Sequence, residues 1–184
     1  AVPKGEGGMV AVLGSTVEVI ENMLDENSNY SSVQIANDNS DGQIVLSGRN
    51  DDLNKLTEIF KLKKIKNIKL PVSAPFHCKL MNKATQILKQ EIEKTNFKDA
   101  KIKLISNVTA DEILDKDELK NLLIKQIENR VRWRESVINM IDKGVNQFIE
   151  IGPGKVLSGL VKRINKDVKI TTINNEIDIE SLRI

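Results

Sequence analysis

The segment LPVSAPFHCKLM, residues 70–81, holds the chain's only histidine, His77, and beside it the only cysteine, Cys78. An imidazole can take up a proton and return it near neutral pH, the work of a general base and acid. Ahead of His77 an apolar run ends in proline, and after it a helical pattern begins. Such a strand-to-helix junction is where α/β proteins place ligand-facing groups. A structural histidine, hydrogen-bonded beneath a turn, is the alternative reading of the same residues. A Cys–His dyad is opposed by geometry, because neighbours on an extended backbone point to opposite faces. Cys78 is therefore read as a buried, inert thiol.

Other chemistry is harder to assemble. IGPGKVLSGL (151–160) lacks the P-loop spacing. Its glycines are read as permitting a tight strand–helix turn, with an anion site at the helix N-terminus as the lesser alternative. Arg130, Arg132 and Arg134 surround Trp133. They are read as solvated arginines about a core tryptophan, with a docking patch for an acidic partner as the lesser alternative. The nucleophile-elbow pattern G-x-S-x-G occurs nowhere, and Ser73 has no strained turn to hold it. One His and one Cys, without H-x-x-x-H or C-x-x-C spacing, offer no metal site.

The elements that must position His77 begin with the composition. A chain of 184 residues can bury a real core. Its 28 basic and 26 acidic residues nearly balance, which argues against gripping nucleic acid as its main work. A single cysteine excludes an internal disulfide framework and fits a reducing compartment, so a cytoplasmic location is expected. No apolar run approaches the roughly 18 residues that span a bilayer, and no signal-peptide pattern is visible. The opening AVPKGEGGM, without an initiator Met, reads as an internal linker.

Residues 7–72 read as strand, helix, strand, strand, helix, strand. The strands are 7–14, 31–38, 42–48 and 65–73, with a turn from Asn37 to Gly42. Ser15 and Glu18 form a capping-box pattern for the first helix. Asn50 is expected to cap the second, with Leu53, Leu56 and Phe60 as its apolar stripe and lysines in its last turn. This order is that of a ferredoxin-like, split βαβ unit. The lysine-rich run 61–69 is read as a solvated surface.

Residues 73–184 change character. A helical stripe over Leu80, Ala84, Ile87/Leu88 and Ile92 leads to a strand at 101–108 and helices at 116–128 and 132–143. A strand at 146–152, a turn and helix over 152–164 and a strand at 168–173 follow. Alternation of this kind predicts an α/β layer with a largely parallel sheet. About three strands are too few for such a sheet, so half a domain is expected to be missing.

VSAPFHCKLM (72–81), FKDAKIKLISNVTA (97–110), the stretch from Gln126 to Val137 and IEIGPGKVLSGLVKRI (149–164) together resemble malonyl-CoA:acyl carrier protein transacylases. AVPKGEGGM and NDNSDGQIVLSG (37–48) match as well, so the resemblance runs from Ala1 to about Asn175. It implies the carboxyl-terminal portion of such an enzyme: a partial α/β-hydrolase-like core, 73–184, carrying an inserted ferredoxin-like (βαββαβ) subdomain, 7–72.

The resemblance also implies roles. His77, in an S-x-P-x-H segment, would be the general base for a serine that takes malonyl from coenzyme A and passes it to the phosphopantetheine thiol of acyl carrier protein in fatty acid biosynthesis. The backbone carbonyl of Gln126 would orient the imidazole, as a carboxylate does elsewhere, without adding a buried charge. Asn37, Asn39 and Gln43 match a segment lining the family's cleft. Partners would be acyl carrier protein, the coenzyme A thioester and the missing N-terminal half, with no bound cofactor, no nucleic acid and no membrane. The family's G-H-S-x-G elbow, its malonyl-binding arginine and its oxyanion hole precede the matched region and are absent from these residues. Arg130 stands where the family has proline, and Cys78 where small residues are usual. The chain alone is expected to be inactive and prone to aggregate or dimerise. The alternative is a non-catalytic module that binds acyl carrier protein, with His77 structural. A nucleic-acid-binding reading of 7–72 lacks aromatic residues on its strands.

Overall fold

The structure, a computed structural model, describes residues 2–26 and 30–180. The content is α/β, in two compact units, Ala1–Ser136 and Val137–Ile184.

The first unit is built on a four-stranded sheet in the order β2-β3-β1-β4, with every neighbouring pair antiparallel. These strands are β1 (Gly7–Leu13), β2 (Gln34–Ser40), β3 (Gln43–Arg49) and β4 (Lys66–Lys69). β1 is buried on both faces, which explains its unbroken apolar run. One face meets helices α1 (Val17–Asp25) and α2 (Asn50–Leu62): Val10, Val12, Ile44 and Leu46 pack with Ile20, Leu53, Leu56 and Phe60. Phe60 is wholly buried, and its truncation to Ala would cost about 3–5 kcal/mol. The opposite face carries Met9, Ala11, Ala36 and Val45.

Several local expectations are corrected. Thr16, not Ser15, caps α1, its hydroxyl accepting from the Val19 amide at 3.3 Å. Arg49 occupies the cap position of α2, and Asn50 is the first helical residue. The Asn50 amide instead donates to the carbonyls of Gly5 (2.6 Å) and Gly7 (3.3 Å), tying the leading segment to the helix. Asn37 and Asn39 lie within β2, because the turn contracts to Asp41–Gly42, where Gly42 takes a φ of +70°. Of the expected strand 101–108 only β5 (Leu104–Ile105) forms, paired with β6 (Glu112–Ile113).

A 3-10 turn at Lys79–Met81 leads into α3 (Asn82–Lys94), which packs on α4 (Lys116–Lys125). Asp115 caps α4 by accepting from the amides of Asp117 and Glu118. Of the expected α3 stripe, Ile92 is buried while Ile87 and Leu88 are exposed.

The chain passes through α5 (Trp133–Asp142) into the second unit, where β7 (Gln147–Ile151) and β8 (Lys169–Ile173) pair in parallel around α6 (Val156–Ile164). A short α7 (Glu176–Glu180), not foreseen from the sequence, follows. β7–β8 is the one parallel two-stranded sheet among the described residues. No helix among them is long and apolar enough to cross a membrane.

Candidate active site

His77 sits in a tight turn laid across the sheet face opposite the helices. Pro75, fully buried, anchors that turn against Gly7 of β1. Cys78 is also fully buried; its thiol donates to the Pro75 carbonyl (3.1 Å), and the Ser47 hydroxyl of β3 donates to its sulfur (3.6 Å). Beyond Cys78, the Lys79 amide donates to the Gln34 side chain of β2 at 2.7 Å. Held from both sides, His77 adopts a φ of +60°, a left-handed conformation rare for a residue with a Cβ. Such backbone persists only where the surroundings over-determine it, and it clusters at functional sites. The sequence places His77 at a strand-to-helix junction; the structure sharpens this to the crest of a turn, eight residues past the end of β4.

The imidazole Nδ1 lies 2.8 Å from the backbone carbonyl oxygen of Gln126. Gln126 ends α4, where the last carbonyls have no partner within the helix and carry the negative end of its dipole. A carbonyl can only accept, so Nδ1 carries the proton and donates. In the neutral ring Nε2 is then left with its lone pair free to take a proton. The Gln126 side chain is held separately, its Oε1 accepting from the Asn107 amide at 3.4 Å.

His77 also lines an open cavity of about 330 Å³, together with Gln34, Glu21, Glu128, Asn129 and Arg130. Asn37, Asn39 and Gln43 are not among its lining residues. All three are half-buried on β2 and β3. Asn37 is paired with Val45, and Gln43 with Leu13, so both belong to the sheet face that carries the His77 turn. Asn39 falls at an irregularity in the β2–β3 register.

The three arginines are engaged within the chain. Arg130 meets Glu21 (3.0 Å), Arg132 meets Glu135, and Arg134 meets both carboxylate oxygens of Asp38 (3.0 and 3.2 Å). Trp133 is only half-buried, at the first position of α5. Asp38 went unnoticed in the sequence, because it stands among the polar residues Asn37, Asn39 and Ser40 of β2 and nothing local marks it. Burial holds its carboxyl above the usual value, against the lowering pull of Arg134.

Three amides of the glycine turn and the start of α6 already have acceptors within the chain. Glu150 accepts from the amides of Leu157 (3.0 Å) and Ser158 (2.7 Å), and Asn174 from that of Gly154 (2.7 Å). No cluster of three or more His, Cys, Asp or Glu side chains suited to a metal ion occurs among the described residues.

No protein-family model matches the chain. Curated proteins do. A malonyl CoA-acyl carrier protein transacylase of Bacillus subtilis is 43% identical over 182 residues, which are 98% of this chain and 57% of the relative. One from Staphylococcus aureus is 39% identical, over 98% of this chain and 59% of its own length. Among solved structures, the transacylase of Clostridium perfringens superposes with a TM-score of 0.92 at 41% identity, covering 98% of this chain and 57% of the other. A malonyl-transacylase solved in complex with a type II polyketide synthase acyl-carrier protein superposes at 0.91 and 31% identity, over 98% and 59%. The resemblance carried by separate motifs thus extends over nearly the whole chain. The chain spans less than three-fifths of the length of these relatives.

Proposed function

We propose that this chain is the carboxyl-terminal portion of a malonyl-CoA:acyl carrier protein transacylase and supplies the general base of its acyl-transfer site. The observation that carries the reading is the 2.8 Å contact between His77 Nδ1 and the Gln126 carbonyl. It leaves Nε2 as the proton acceptor and fixes the ring without a buried carboxylate.

In the proposed cycle Nε2 removes the proton from a serine hydroxyl carried by the part of the protein these residues do not span. The serine oxygen attacks the malonyl thioester carbonyl, and coenzyme A leaves with the proton held by His77. A malonyl-serine ester remains. The phosphopantetheine thiol of acyl carrier protein then gives its proton to Nε2 and attacks the ester, and His77 returns the proton to the serine. No bound cofactor takes part.

The βαββαβ order and the strand order β2-β3-β1-β4 support reading 7–72 as a ferredoxin-like subdomain. The parallel β7–β8 pair around α6 supports reading 73–184 as part of an α/β-hydrolase-like core that the missing half completes. Asn37, Asn39 and Gln43 are assigned to the substrate cleft between the subdomains, acyl carrier protein is the macromolecular partner, and the reaction belongs to the cytoplasm.

The test is rapid-quench acylation of the full-length protein by radiolabelled malonyl-CoA. His77→Gln should slow the burst by a factor of about 10²–10⁴. A burst of wild-type rate would overturn the assignment. Saturable carrier binding without any burst in the wild-type protein would favour a binding module with a structural His77.

A further inference from the structure

The His77–Gln126 contact joins two separately built pieces, a turn seated on the sheet and the C-terminal end of α4. The second piece is held to the same sheet just beyond Gln126. Val131 adds to the edge of β2 in parallel: its amide donates to the Ala36 carbonyl (2.8 Å), and its carbonyl accepts from the Asp38 amide (2.9 Å). Three residues on, the Arg134 Nε donates to both oxygens of Asp38, and one terminal nitrogen lies 3.6 Å from Asp41. Between these points the Arg132 amide donates to the Asn107 carbonyl (2.8 Å), and the Asn107 side chain reaches Gln126 Oε1. A continuous set of contacts therefore runs from β2 through 131–134 and Asn107 to Gln126.

Asp38 is an expensive way to hold a strand. Its side chain is 2% exposed, and among the described residues Arg134 is its one cationic hydrogen-bond partner. An apolar pair of similar volume would serve stability as well or better, whereas Arg134, its Nε–H shared between the two Asp38 oxygens and a terminal nitrogen beside Asp41, ties 131–134 to two points at the end of β2. In the companion pair Arg130–Glu21 the carboxylate is exposed to solvent, so it constrains far less.

We infer that the Asp38–Arg134 pair positions the catalytic histidine, by locking the 126–134 segment to β2 so that the Gln126 carbonyl meets His77 Nδ1. The inference rests on the transacylase reading above.

The experiment uses the full-length transacylase with Asp38→Asn, Arg134→Gln and the double variant, and His77→Gln as the assignment control. Single-turnover acylation, KM for malonyl-CoA, melting temperature and the ¹⁵N resonances of the His77 imidazole are recorded. All three lock variants should lose roughly tenfold or more in acylation rate, as small misplacements of a catalytic group do, with KM within about twofold. Their imidazole should shift from the Nδ1-protonated tautomer toward a mixture. The double variant, free of an unpaired buried charge, should regain the wild-type melting temperature but neither the rate nor the tautomer. A double variant with wild-type rate and tautomer would overturn the inference and leave the pair purely structural. If His77→Gln acylates normally, the transacylase reading fails instead, and the tautomer still decides whether the lock holds the imidazole.

Discussion

Pro75 fills the space that a side chain at Gly7 would need: a Cβ built on Gly7 lies 2.5 Å from the proline Cγ, well inside contact distance. The first strand and the turn carrying the histidine are thereby fitted to each other across nearly seventy residues. Gly7→Ala should lower stability by about 1–3 kcal/mol, measured by urea unfolding of the full-length protein. The same variant should loosen the His77 turn and, on the proposed function, slow acylation. Unchanged stability would mean that the turn shifts without penalty.

The Asp52 carboxylate gives a pH signature. It accepts from the Ser32 hydroxyl at 2.7 Å and the Ser32 amide at 3.3 Å, and the Ser32 hydroxyl, desolvation notwithstanding, holds its pKa below the usual 3.8. A depressed folded-state value means stability present above 3.8 and lost as pH falls through the folded value. Asp52→Asn keeps an acceptor but loses the charge. It should cost about 1 kcal/mol at pH 7, and the difference from wild type should fade as pH drops below 3.8. A gap that is constant with pH would assign the loss to shape rather than charge.

Cys78 should be silent toward thiol reagents. With no exposed surface and a sulfur engaged with Pro75 and Ser47, it should react with a disulfide reagent only at the rate of unfolding. Fast labelling of the native protein would show that the His77 turn opens on its own.

The 184-residue chain by itself should self-associate. Ile151 (79%), Val156 (72%) and Ile149 (38%) of β7 and α6 are exposed, and β7–β8 has two unpaired edges. Light scattering should show oligomers, and Ile149→Thr with Ile151→Thr should reduce them. Co-expression with the proposed amino-terminal portion should do the same. A monodisperse monomer at high concentration would contradict this.

Much of the first unit was legible because its signals are local. Alternating Val10, Val12, Ile44 and Leu46 and the helical spacing of Leu53, Leu56 and Phe60 mark a sheet with helices on one face. Boundaries failed where long-range contacts compete with local chemistry. Asn50 has the chemistry of a helix cap, yet its side chain is claimed by the carbonyls of Gly5 and Gly7. KIKLISNV alternates as a strand should, but it finds a partner only at Leu104 and Ile105, leaving Ile102 exposed. In the site, a lone histidine announces itself by its rarity, whereas no local pattern reveals Asp38 and Arg134, 96 residues apart. The Gln126 carbonyl came from family resemblance alone, since every residue carries one.

The oxygen facing His77 belongs to the main chain, so its presence does not depend on which amino acid occupies position 126. Alanine scanning there would report only the lost side-chain contact to Asn107 and leave the oxygen in place. Drift at this position could likewise proceed while the imidazole kept its partner. What natural variation has to preserve is the path of the backbone at the end of α4, a constraint written into helix length and turn geometry, where inserting or deleting one residue would do more harm than any exchange of side chains.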